Sequence, residues 1–180
     1  FPKVLKWHRW FMQWRFQEGL VFINHPWEAG RDNAPDWDSA LAAINPTGVA
    51  PYKRRDTEHV NPVMRPTKSD YDRYIWLVQQ GRECKWNADW LRKNSSFKVA
   101  DPAMHFILLR ANRDLRLIGI NLEEDISEID SWIASLEKGA SKLWNASISS
   151  YDSFDLLNYS FAGSISSASF MCWYAGLHDK

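Results

Sequence analysis

The chain has 180 residues, 45% of them apolar, which is enough for one domain with a real core. Twenty-two basic residues balance 22 acidic ones, leaving neither the basic face of a nucleic-acid binder nor a polybasic membrane patch. No apolar run approaches the ~20 residues of a membrane span and no charged, apolar leader opens the chain, so a cytoplasmic protein is expected.

Apolar residues at 4, 7, 10 or 11, and 14 predict a helix from the start of the chain to about Phe16. Gly19 ends it, and Leu20–Ile23 is a short apolar run that leads into a charged, tryptophan-bearing segment. Pro35 opens a second helix that turns Trp37 and Leu41 inward, with Asn45-Pro46 as its stop. Residues 46–68 are rich in Pro, Arg, Thr and Asn without periodicity, and a loop of that length in a compact domain is more often functional than idle. Ser69 is expected to cap a third helix, with Tyr71, Tyr74, Ile75 and Val78 at helical spacing to about Gly81. Asp101-Pro102 opens a fourth with Phe106, Leu109 and Leu117 inward, and Ile126, Ile129, Ile133, Leu136 and Ala140 mark a fifth. A last short helix is expected near Ser166. The expected class is therefore all-α, built of helical hairpins. Cys84 and Cys172 read as two buried free thiols. The histidines at 8, 25, 59, 105 and 178 lack metal-ligand spacing, so no metal site is expected.

The segment His25-Pro26-Trp27-Glu28-Ala29-Gly30-Arg31-Asp32-Asn33-Ala34-Pro35-Asp36-Trp37-Asp38 carries five charged groups and two of the chain's eleven tryptophans. A solvated loop has no need of the indoles, and a core segment does not tolerate the carboxylates. Indoles beside carboxylates suit a sugar: the C–H face of the ring stacks on the indole, and carboxylates bond hydroxyls or move protons at the glycosidic oxygen. Trp27 and Trp37 are candidate platforms. Glu28 is a candidate to hold the loop or a sugar hydroxyl, and Gly30 to supply the turn that brings the backbone close. On its residues alone, Asp32 caps the helix that begins near Pro35, or Asn33 does and Asp32 is solvated.

This run resembles the signature of glycoside hydrolase family 63, close to His-Pro-Trp-Glu-Ser-Gly-x-Asp-Asn-Ser-Pro-x-Trp-Asp. Ala29 and Ala34 stand where that family often has serine, and Arg31 and Asp36 fill its variable positions. A second block, Arg55-Asp56-Thr57-Glu58-His59-Val60 with Arg65-Pro66-Thr67-Lys68-Ser69-Asp70-Tyr71, is similar to the bacterial hydrolases of glucosylglycerate and mannosylglycerate within it. The resemblance implies an (α/α)6 toroid, of which residues 1–180 are one partial catalytic domain, truncated at both ends. It implies inverting hydrolysis of a small α-glycoside, a chemistry that requires no cofactor, with Asp32 as general acid. Trp27 is then a substrate-facing indole, and Arg65 and Tyr71 hold an anionic aglycone, as a guanidinium clamps a carboxylate. The general base is a Glu of a later block outside this chain; Glu123, Glu124, Glu128 and Glu137 lack aromatic company and are not candidates.

Two other readings stay open at this point. An oligosaccharide or trehalase-like α-glucosidase has a neutral aglycone and no use for an arginine clamp. A non-catalytic helical domain that binds carbohydrate or protein is consistent with the two alanines and the missing base.

Overall fold

A computed structural model describes residues 1–177; His178, the last of the five histidines, lies outside them. α1 (Pro2–Trp14) opens with proline in its first turn, where the missing N–H has no partner to lose. The stripe that sets this helix does not set its burial: Val4, Trp7 and Trp10 are exposed, and His8 is the buried residue. α2 (Asp38–Ala42) continues a 3-10 turn at Pro35–Trp37, and Trp37 and Leu41 point into the core as expected. α3 (Lys68–Glu83) is capped by Thr67 and not by Ser69. The Thr67 hydroxyl accepts the Asp70 N–H at 3.2 Å and the Asp70 carboxylate accepts that of Thr67 at 3.2 Å, so two free helix donors are satisfied reciprocally. α4 (Ala88–Asn94) falls outside the expected helices; the Asn87 side chain caps it.

α5 (Pro102–Asn121) is the longest helix described. Asp101 caps it by accepting the Ala103 and Met104 N–H groups at 3.1 and 3.4 Å. Phe106 and Leu109 are buried on it as expected, but Leu117 is exposed and Leu115 takes the inward position. α6 (Ser127–Ala140) packs along α5, with Ile129 and Leu136 buried and Leu136 in one cluster with Phe106 and Leu109. α7 (Met171–Tyr174) follows a 3-10 turn capped by Ser166. Of the two cysteines, both free, Cys172 is buried and Cys84 only half-buried.

The chain is mainly helical, as expected, and short strands that the all-α expectation left out also occur among the described residues. β1 (Phe16–Gln17), β2 (Leu20–Ile23), β3 (Val99–Ala100), β6 (Phe154–Asp155) and β7 (Ser160–Phe161) form an antiparallel sheet in the order β1-β2-β3-β6-β7. β4 (Trp144–Asn145) pairs with β5 (Ser150–Tyr151). Runs of two to four residues are too short to show the alternation that identifies a strand. β2 is apolar throughout because both of its faces are covered. Leu20, Val21 and Phe22 pack with Phe106, Leu109, Leu136 and Tyr151, whereas Ile23 joins Trp37, Leu41, Tyr74, Leu77 and Phe97. The second cluster lies beneath the 24–38 segment, so the loop that leaves β2 rests on a packed floor.

His105 ties the first core together. It is fully buried; its Nε2 donates to the Leu136 carbonyl at 2.9 Å and its Nδ1 accepts the Val21 N–H at 3.3 Å. Only a neutral ring can accept there, and burial depresses its pKa to about 4. An unfolded histidine titrates near 6.5, so the native state excludes a proton that the unfolded chain binds. The resulting stability is complete above pH 6.5 and is lost as pH falls through 4. Its size is ~3 kcal/mol. Urea unfolding of wild type and His105→Gln should therefore show a stability gap that narrows from pH 7 to pH 4; a gap independent of pH would remove His105 from the acid response.

Candidate active site

The 24–38 segment leaves β2 and is shaped by its own side chains. The His25 Nδ1 accepts the Trp27 N–H at 3.0 Å and its Nε2 donates to the Tyr74 carbonyl at 3.1 Å. That pair of roles needs a neutral imidazole, and burial holds the pKa of His25 below its ordinary value. Pro26 starts a 3-10 turn over Pro26–Ala29, and Gly30 ends it at φ +66°. Nothing lies within 4 Å of where a Cβ would stand on Gly30, so glycine is required there by conformation and not by space. Glu28 receives two hydrogen bonds from Arg15, at 2.9 and 2.8 Å, and the Asn24 N–H at 3.2 Å. Of its two expected roles, holding the loop is the one the geometry carries.

Of its two expected roles, core packing and sugar platform, Trp37 takes the first. It is 0% exposed, its Nε1 donates to the Arg31 carbonyl at 2.8 Å, and the Arg31 guanidinium covers its ring at 4.9 Å. A platform for sugar needs an open face, and Trp37 has none; it packs the floor instead. Trp27 is 39% exposed and leans on His25 and Tyr74 with ring centroids at 4.6 and 5.9 Å. It remains the indole with surface to offer.

Asp32 stands on an open cleft of about 500 Å³, lined also by Gly30, Asn33, Arg65, Ser166 and Ser167. No hydrogen bond or ion pair engages its carboxyl group among the described residues. Its backbone is held: the Tyr74 hydroxyl donates to the Asp32 carbonyl at 2.7 Å. Burial and the nearby Asp70, Asp32 and Asp38 carboxylates push the Tyr74 phenol up to about 12, so it stays a donor at any working pH. The preceding residue is fixed by its side chain. Arg31 donates to Asp101 at 2.7 Å, to Asp36 at 3.3 Å and to the Ser166 hydroxyl at 3.1 Å. Asp36, with its side chain 2% exposed, also accepts the Ser153 and Ser166 hydroxyls, each at 3.0 Å.

Arg65 reaches the same cleft from the long loop. Its Nε donates to Asp56 at 3.1 Å, and Asp56 also receives Arg54 at 3.0 and 2.5 Å. The Arg54 bonds, with that of Arg65, hold the Asp56 carboxyl down at about 2, so it remains an anion over the whole useful pH range. Tyr71 is pinned from two sides, with the Arg54 guanidinium 4.4 Å over its ring and Tyr52 stacked at 5.6 Å. It lies 6.2 Å from Trp27. His59 is exposed. Glu128 and Glu137 pair with Arg9 and Arg113 at the surface.

The fold thus brings Asp32, Gly30 and Arg65 to one cleft, sets Trp27 and Tyr71 side by side, and sends Trp37 to the core and Glu28 to Arg15. Sequence reasoning missed Arg31, Asp36, Asp101 and Tyr74 as parts of the site. Asp101 showed only as a helix cap and Tyr74 only as a stripe residue, while Arg31 and Asp36 sit where the motif varies. No local signal pairs them.

The model of the mannosylglycerate hydrolase MGH1-like glycoside hydrolase domain matches residues 1–180. A mannosylglycerate hydrolase of Thermus thermophilus is 42% identical over 178 residues, which are 98% of this chain and 43% of that protein. Mannosylglycerate hydrolase MGH1 of Selaginella moellendorffii is 39% identical over 181 residues, 98% of this chain and 37% of that one. The crystal structure of a GH63 mannosylglycerate hydrolase from Thermus thermophilus in complex with Tris and D-glycerate superimposes with a TM-score of 0.93 at 41% identity, covering 98% of this chain and 43% of its own. The chain spans about two fifths of the length of the relatives it matches.

Proposed function

This chain belongs to the mannosylglycerate hydrolase MGH1-like glycoside hydrolase family, and from that premise we propose that the whole protein hydrolyses an α-glycoside of glycerate. Mannosylglycerate and glucosylglycerate are the leading substrates, and the reaction inverts the anomeric carbon. Residues 1–180 are one part of an (α/α)6 toroid catalytic domain in this reading. Large apolar side chains exposed on α1, α5 and α7, among them Trp7, Leu117, Ile118 and Trp173, support it, since such surface is normally covered. No described helix is long and apolar enough to cross a membrane, and the free thiols suit a reducing, cytoplasmic setting.

The observation that carries the proposal is Asp32: a carboxyl without an engaged partner, on a fixed backbone, at a cleft shared with an arginine. Protonated, it gives its proton to the glycosidic oxygen as the bond to the anomeric carbon breaks, and glycerate leaves as the alcohol. Water enters from the opposite face and loses its proton to a second carboxylate. Inversion places the two carboxyl groups roughly 6.5–9.5 Å apart, and the base is contributed by residues outside this chain. Turnover of mannosylglycerate by the full-length protein, followed by proton NMR, should show the β-anomer of the free sugar first; an initial α-anomer would overturn the inverting reading.

Arg65 is the proposed contact for the glycerate carboxylate. Asp56 takes its Nε, and no hydrogen bond among the described residues engages its other two nitrogens, while Arg65 lines the cleft. Arg65→Ala should raise KM about 10–150-fold for an anionic glycoside, the equivalent of the ~1.5–3 kcal/mol of a charged hydrogen bond, and little for a neutral one. Equal effects on both would take Arg65 out of aglycone recognition and favour a neutral, trehalase-like substrate.

A further inference from the structure

We infer that Arg31 is a positioning residue for the general acid, acting through the peptide that carries Asp32. The inference rests on the assignment of Asp32 as the acid. Arg31 and Asp36 occupy positions the motif leaves open, yet the structure commits both to one buried cluster. The Arg31 guanidinium is tied to Asp101 at 2.7 Å, to Asp36 at 3.3 Å and to Ser166 at 3.1 Å. These partners come from the start of α5, from the loop itself and from the turn before α7. Three separate parts of the fold therefore locate one side chain.

The same residue is held at its other end. Its carbonyl accepts from Trp37, itself fully buried, at 2.8 Å. The next carbonyl, that of Asp32, accepts from Tyr74 at 2.7 Å. Both peptide planes around the Asp32 Cα are thereby fixed, and the carboxyl group is the part left unbonded. An acid must sit within about 3 Å of the glycosidic oxygen to transfer a proton, and pre-set geometry of this kind is what catalysis needs. A planar fork can serve two carboxylates and a hydroxyl at once, and a lysine ammonium cannot reproduce that arrangement. The Arg31 side chain is 16% exposed and that of Asp101 0%, so solvent does not loosen the pair.

The test uses the full-length protein with two substrates, mannosylglycerate and α-mannosyl fluoride, whose leaving group needs little protonation. In Arg31→Lys, kcat on mannosylglycerate should fall ~30–100-fold with KM within ~3-fold, since about 1 Å of misplacement costs about 10²-fold; on the fluoride the fall should stay under ~5-fold. Arg31→Lys can fail to fold, so Asp101→Asn is the second arm. Asparagine caps α5 as well as aspartate does and keeps an acceptor for Arg31, but it loses the charge. It should show the same substrate pattern at ~10-fold. Asp32→Asn runs beside both as the reference. If Asp32→Asn shows the fluoride-sparing loss and the Arg31 and Asp101 variants fall equally on both substrates, or not at all, the inference is overturned while the acid assignment stands. If Asp32→Asn turns over mannosylglycerate normally, the acid assignment fails and the inference falls with it.

Discussion

Asp32→Asn in the full-length protein should abolish turnover of natural glycosides while leaving the fold and most of the sugar affinity in place. Asparagine keeps the shape of the side chain but has no titratable proton for the leaving oxygen, and general acid help is worth about 10²–10⁴-fold. The loss should shrink for a glycosyl fluoride, because fluoride departs with little protonation. That contrast separates an acid from a group that only places the substrate, whose removal harms both reactions alike. It also separates the acid from a helix cap, since asparagine caps as well as aspartate. The structure weakens the cap reading directly. The 3-10 turn at Pro35–Trp37 begins after Ala34, which supplies no side-chain cap, and the Asp32 carboxyl engages no helix N–H. Near-normal hydrolysis of mannosylglycerate by Asp32→Asn would end the proposed role.

The largest stability effect is expected from Gly139→Ala in α6. Helix propensity alone favours alanine over glycine by ~1 kcal/mol. The contact decides the other way. A Cβ on Gly139 would stand 1.8 Å from the Gly19 carbonyl oxygen and 2.6 Å from its carbonyl carbon. These are backbone atoms of the turn between β1 and β2, and Gly19 already has φ +91°, so the turn cannot yield by rotating a side chain. The methyl must push α6 away from the sheet and open the core around Leu136 and Leu20. Such overpacking costs ~3 kcal/mol or more, which lowers Tm by about 6–12 °C for a domain of this size. A Tm unchanged or raised in Gly139→Ala would show that the two elements can part without loss.

Much of the fold can be read along the chain. Apolar stripes place four of the helices, and proline and aspartate mark the start of α5, because helix periodicity and capping join residues at most four apart. The 24–38 segment is legible for the same reason: His25, Gly30 and Pro35 shape their own neighbourhood. The short strands are hidden: β3 exists only by pairing with distant partners, Val99 with Ile23 and Asp155, and the local two-residue pairings are too short to show alternation.

Within the site the division is sharper. The sequence could name Asp32, Trp27 and Arg65 as chemically apt, but it could not say which side chains share a cleft. Both tryptophans of the motif are chemically apt for a sugar, and the turn begun at Pro35 directs Trp37 inward, but it is packing against Phe97, Tyr74 and Leu41 that leaves Trp37 no exposed surface while Trp27 lies half-open. The Arg31–Asp101 pair spans 70 residues and the Tyr74–Asp32 bond spans 42. Contacts over such distances leave no periodic trace in a single sequence. They are set when burial of the two cores brings α3, α5 and the loop together and the buried charges must find one another.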